Sequence, residues 1–129
     1  MNLSIQLVGH FSFMGLMIIL IIIGITKAHN RGSNWLNIHR RIVITGVVSG
    51  IIGFLIMALY KLSKAYPHFT SNHSKGGLLA LILAVITPIF GIMVMKKILK
   101  QKLVHKISGV FTLIFCILAL SFGILKFFG

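Results

Sequence analysis

Four of the six histidines, His10, His39, His73 and His105, stand at or near the N-terminal ends of long uncharged stretches. A neutral imidazole offers one lone pair to a metal, so histidines recurring at equivalent places point to paired metal ligands. A single histidine at such a place is ordinarily an interfacial or hydrogen-bonding group. Recurrence changes the weighing: six histidines in 129 residues would occupy all four six-residue windows by chance on the order of one time in 250. Glycines repeat with them. Gly77 follows His73 by four positions and Gly109 follows His105 by four, on the same helix face, leaving room for a flat group against the backbone. Gly91 lies 18 residues after His73, and Gly123 lies 18 after His105, five full turns along the same face. In the first two stretches the shared offset is 14, from His10 to Gly24 and from His39 to Gly53. Close packing of membrane helices accounts for any one of these glycines, and accounts less well for the repeated offsets.

The elements that must position these residues follow from composition. The chain is 57% apolar with a mean hydropathy of +1.05, and a soluble domain this short could not cover so much apolar surface. Uncharged runs cover 2–26, 42–60, 76–95 and 107–125. Each has the roughly 20 residues needed to cross a hydrocarbon core, and in lipid such a run must be helical to satisfy its own backbone. The expectation is an all-α integral membrane protein, a four-helix up-down-up-down bundle in one domain over 1–129, with spans of about 4–27, 38–60, 73–97 and 104–126. The first run lacks a basic n-region and is too long for a cleavable signal peptide, so it reads as a retained span. Pro88, within the third span, is expected to kink it.

Charge sets the topology. There are 13 Lys and Arg and no Asp or Glu. Lys27, Arg31, Arg40 and Arg41 fall in the first link, and Lys96, Lys97, Lys100, Lys102 and Lys106 in the third. Lys61, Lys64, Lys75 and Lys126 fall on the other side. The positive-inside rule then puts the first and third links in the cytoplasm and both termini outside. Trp35, Tyr60 and Tyr66 fall near span ends, where aromatic residues anchor at the interface. Because the charge is confined to links and span ends, it suits anionic lipid, an acidic partner or a negatively charged cofactor rather than nucleic acid. Cys116 is alone and mid-span, which excludes a disulfide within the chain and suits packing.

Short links make sequential helices antiparallel neighbours, with the first and third, and the second and fourth, diagonally opposed. His10 and His73 then share the outer side, and His39 and His105 the cytoplasmic side. Two imidazoles approaching one iron from opposite faces of a macrocycle are the requirement for bis-histidine haem ligation, which leaves no open position and suits electron transfer. The like offsets of oppositely directed spans also suggest an internal pseudo-symmetry, with an in-plane axis exchanging the first span with the second and the third with the fourth.

With these residues, HFSFM at His10–Met14, His39, HSKGG at His73–Gly77 with Gly91, and HKISG at His105–Gly109 with Gly123, the sequence resembles the cytochrome b561 family from about His10 to Gly123. The resemblance implies two haem b groups in a four-helix core. Its pairing of first with third and second with fourth histidine gives His10 with His73 and His39 with His105. Family members usually carry an extra helix at each end, and many bear a donor or substrate domain. In ascorbate-using members basic residues beside the cytoplasmic haem hold the donor. Arg31, Arg40, Arg41, Lys96, Lys100 and Lys102 are available here but do not match one to one, so ascorbate, a quinol, another cytochrome or a reductase all stay open. As an enzyme the chain would be an ascorbate- or quinol-linked transmembrane ferric or cytochrome reductase.

Arg40, Arg41 and Lys106 neighbour the cytoplasmic ligands and Lys75 neighbours His73; each could pair with a haem propionate or simply snorkel at a span end. His29 and His68 lie in links and read as solvated, and Met14 reads as a core residue. The rival reading is a non-redox anchor or assembly subunit of a larger complex. A proton-coupled exporter is disfavoured because no intramembrane carboxylate exists, and a copper or zinc site would lack the carboxylates that often orient such ligands.

Overall fold

Because lipid offers backbone groups no hydrogen-bond partner, apolar segments of this length fold as helices and continue until water can satisfy their ends. The computed structural model describes residues 3–98, 100 and 102–128. Asn2, which begins the first uncharged run, lies outside them. The chain forms α1 (Leu3–Asn30), α2 (Trp35–Ser63), α3 (Asn72–Met95) and α4 (Lys102–Phe128), with no strand among the described residues. All four helices are long and apolar enough to cross a membrane. Large apolar side chains such as Ile5, Val8, Leu62 and Leu125 face outward, as expected where the solvent is lipid. The chain is an all-α integral membrane protein.

It divides into two compact units, Met1–His68 and Phe69–Gly129. Each is an antiparallel helical hairpin, α1 against α2 and α3 against α4. Lipid supplies no hydrophobic drive between helices, so close packing of small residues must hold each pair. In the first hairpin Met17, Ile21 and Gly24 are buried on α1, and Gly46, Ser49, Gly50 and Gly53 on α2. A Cβ at Gly46 would stand 3.1 Å from the Leu20 Cβ and 3.4 Å from the Met17 carbonyl, so the helices touch there almost backbone to backbone. The Ser49 hydroxyl donates to the Phe13 carbonyl at 2.7 Å. In the second hairpin the buried positions are Ala80, Leu81, Ala84 and Thr87 on α3 and Ser108, Thr112, Cys116, Ala119 and Gly123 on α4.

Helix ends are built locally. Ser71 opens α3 with a capping box, its side chain accepting from the Ser74 N–H, which satisfies donors the first turn leaves unpaired. The α2 and α3 C-termini close alike. The Tyr66 N–H donates to the Lys61 carbonyl and the Ala65 N–H to Leu62; the Ile98 N–H donates to Met93 and the Lys97 N–H to Val94. These are Schellman motifs, with Ala65 (φ 53) and Lys97 (φ 59) taking the left-handed residue. That motif ends α3 at Met95, two residues short of the expected 97. Pro88 lies inside an unbroken α3. Tyr60 is buried, in edge contact with Tyr66 at 6.3 Å between ring centroids, so it packs on the hairpin.

Candidate functional site

All four histidines are half-buried, and all four use the ring nitrogen Nδ1 in one way. His10 Nδ1 is 2.9 Å from the Gly53 carbonyl, and His39 Nδ1 is 2.8 Å from that of Gly24. His73 Nδ1 is 2.8 Å from the Ala119 carbonyl, and His105 Nδ1 is 3.0 Å from that of Thr87. A carbonyl oxygen can only accept, so each Nδ1 carries the proton and donates it. In the neutral ring the lone pair then resides on Nε2, the arrangement by which proteins fix the tautomer and orientation of metal-binding imidazoles.

The bonds are reciprocal within each hairpin. The helix that gives a histidine also gives, fourteen residues later, the carbonyl for its neighbour's histidine: His10 and Gly24, His39 and Gly53, His73 and Thr87, His105 and Ala119. Fourteen residues is about 21 Å of helix and nearly four whole turns. Each hairpin therefore has a local two-fold symmetry that puts one imidazole toward each end, and the second hairpin repeats the first. Sequence reading finds the offset of 14 only where the acceptor is glycine; in α3 and α4 the acceptors are Thr87 and Ala119, and only the common spacing from each histidine could have revealed them.

The glycines divide by role. A Cβ on Gly123 would stand 3.0 Å from both Cε1 and Nδ1 of His73, and one on Gly91 would stand 3.1 Å from His105 Cε1. These two glycines seat the neighbouring helix's ring, one turn beyond the accepting carbonyl. A Cβ on Gly24 would lie 2.5 Å from Val43 Cγ2 and 3.6 Å from His39 Nδ1. Gly53 lies against Phe13 and Met14, so Met14 packs on α2. Gly77 differs, because a Cβ there would meet nothing within 4 Å, and one on Gly109 would make only an ordinary contact with Thr87 at 3.8 Å.

Arg40, Arg41, Lys75 and Lys106 are exposed beside the histidines. With no Asp or Glu in the chain, no side-chain carboxylate exists to pair with them. His29 and His68 are also exposed. Arg31 stacks over Trp35 at 5.7 Å, and Trp35 lies 6.4 Å from His39 between ring centroids. Among the described residues no three His, Cys, Asp or Glu gather into one metal-binding group.

Four membrane-crossing helices that each orient one imidazole through a neighbour's backbone define a class, a helical membrane protein equipped to hold a metal-centred cofactor by histidine. The sequence model of eukaryotic cytochrome b561 matches residues 4–129, and the chain belongs to that family. It is accordingly a membrane electron-transfer protein that binds haem b and works with redox partners. No curated protein and no solved structure matches the chain.

Proposed function

We propose that the chain carries electrons across the membrane through two bis-histidine haems b, one held by His10 and His73 and the other by His39 and His105. The observation that supports this most directly is the fourfold repetition of an Nδ1–H to carbonyl bond at a constant spacing along the helix. Within a hairpin the two histidines are about 21 Å apart along the axis, too far to share one iron. In this reading each iron takes one ligand from each hairpin, with alternating spans pairing first with third and second with fourth. When bound, haem b supplies a reversible one-electron ferric–ferrous couple. The chain's own residues fix the imidazole tautomers and exclude water. Gly77 and Gly109 leave room for the macrocycle, and Gly91 and Gly123 hold the ligand rings in register.

Arg40, Arg41 and Lys106 are the candidates to pair with the propionates of the His39–His105 haem, and Lys75 with those of the other, by charge-assisted hydrogen bonds. The first and third links, with their nine positive charges, face the cytoplasm in this reading, and both termini lie outside. The electron donor belongs to a class that includes ascorbate, quinols and reduced proteins. With no Asp or Glu present, proton transfer through an acidic side chain of the chain has no part in it.

The deciding experiment is a dithionite-reduced minus oxidised spectrum of the purified protein, with haem counted per chain. Two low-spin b-type haems per chain are expected. One haem would limit the site to a single histidine pair, and none, in protein made with ample haem, would leave a membrane anchor as the account. A Gly77→Leu variant extends the test. The hairpin itself leaves that position open, so the haem-free variant should keep its helicity and melting temperature while losing the His10–His73 haem. Retention of both haems would overturn the assignment of Gly77.

A further inference from the structure

The four histidine acceptors are not equally supported. Gly24 and Gly53 have no side chain and Ala119 has only a methyl group, whereas Thr87 lies at the centre of a buried hydroxyl cluster. Its Oγ1 donates to the Leu83 carbonyl at 2.8 Å. Since a hydroxyl has one hydrogen, the contact of Thr87 Oγ1 with Ser108 is then made by the Ser108 hydroxyl donating to it. Thr112 Oγ1 donates to the Ser108 carbonyl at 2.8 Å and lies 3.0 Å from Thr87 Oγ1, so its one hydrogen is shared between the two acceptors. Ser108 and Thr112 stand three and seven residues after His105, on the helix that carries the histidine. The cluster thus ties the residue that accepts from His105 back to the helix of His105.

Next to Thr87 is Pro88, inside α3. Proline has no N–H, so the rung that would link residue 88 to the Ala84 carbonyl is missing, and α3 is free to bend where the His105 acceptor sits. The same break is absent from the other three acceptor sites: Pro67, the second proline of the chain, lies in the link between α2 and α3.

We infer that the Thr87–Ser108–Thr112 hydroxyl cluster is a clasp that holds the His105 imidazole in its ligating orientation beside the backbone hydrogen bond that Pro88 removes from α3, making Thr87 a positioning residue for one haem and not the other. This rests on the two-haem reading. The clasp makes the two iron sites inequivalent: the His39–His105 site depends on side-chain hydroxyls, whereas the His10–His73 site depends on backbone and ring seating alone.

The test is Thr87→Val, nearly isosteric but without the hydroxyl, read by ferric electron paramagnetic resonance and by haem loss to a haem-scavenging apoglobin. The ferric signal reports the orientation of the two imidazole planes, which packing elsewhere does not move. One of the two low-spin signals should shift, the one that persists in His73→Ala, with haem affinity at that site lowered on the order of tenfold. Thr87→Ser should restore it. Pro88→Ala in the Thr87→Val background should restore it too, because the returned N–H rung removes the need for a clasp. Unchanged signals in a two-haem Thr87→Val protein, equal shifts in both, or failure of Pro88→Ala to rescue would overturn the clasp while leaving the two-haem reading intact. A wild-type protein without haem would instead sink that reading.

Discussion

Replacing His73 by Ala leaves a protein with one low-spin haem per chain in place of two, and transfer across the membrane collapses. The reason lies in how little else could serve. His73 Nδ1 is committed to the Ala119 carbonyl at 2.8 Å, which puts the ligating lone pair on Nε2. The neighbouring His105 stands toward the other end of the same hairpin. The loss should exceed the roughly 10- to 100-fold cost of disturbing a group that merely orients a ligand. It would be measured as haem per chain and as the reduction rate of ferricyanide trapped in proteoliposomes. A variant that keeps two low-spin haems and normal transfer would remove His73 from the site. His105→Ala should give the complementary loss, with the surviving signal that of the His10–His73 haem.

The second large effect comes from a residue with no chemistry of its own. Gly123→Val should abolish the same haem with all four histidines present. Even a Cβ at Gly123 would stand 3.0 Å from Cε1 and Nδ1 of His73, so tight that the ring would have to give by a few tenths of an ångström, and valine adds two methyl groups. The imidazole cannot swing aside without giving up its bond to Ala119, so either the ring leaves its orientation or α3 and α4 separate. Overpacking of this kind costs about 1–3 kcal/mol of stability, a modest effect on folding beside a large one on haem binding. The double variant His73→Ala with Gly123→Val should bind no less haem than His73→Ala alone, because both act on one ring and their effects cannot add. Additive loss would mean that Gly123 supports the fold in general and not the seat of His73.

Neither prediction could be written from the sequence in full. That His73 and Gly123 both matter was legible, but the relation between them was not. Along the chain Gly123 belongs with His105, eighteen residues before it, and Gly91 with His73. In the hairpin each glycine receives the ring of the other helix, so that Gly123 serves His73 and Gly91 serves His105. An antiparallel pairing exchanges partners in this way, and nothing in a single helix reveals the register.

What the sequence determined by itself follows from local rules. Run length and the want of charge made four helices, because lipid permits a spanning chain no other structure short of a closed barrel. The histidines marked the candidate site because polar side chains at such places must have partners. The remainder is tertiary. Thr87 and Ala119 accept from histidines through their carbonyls, and every residue carries a carbonyl no different in kind, so side-chain identity could not single them out. The Thr87–Ser108–Thr112 cluster joins residues up to twenty-five positions apart, and the hydroxyls read as ordinary small packing residues until α3 and α4 are laid side by side. Backbone acceptors and cross-helix seats depend on register, and register is fixed by how small residues such as Gly46, Ala80 and Ala84 let two helices approach, a matter of shape in three dimensions that spacing along one chain does not encode.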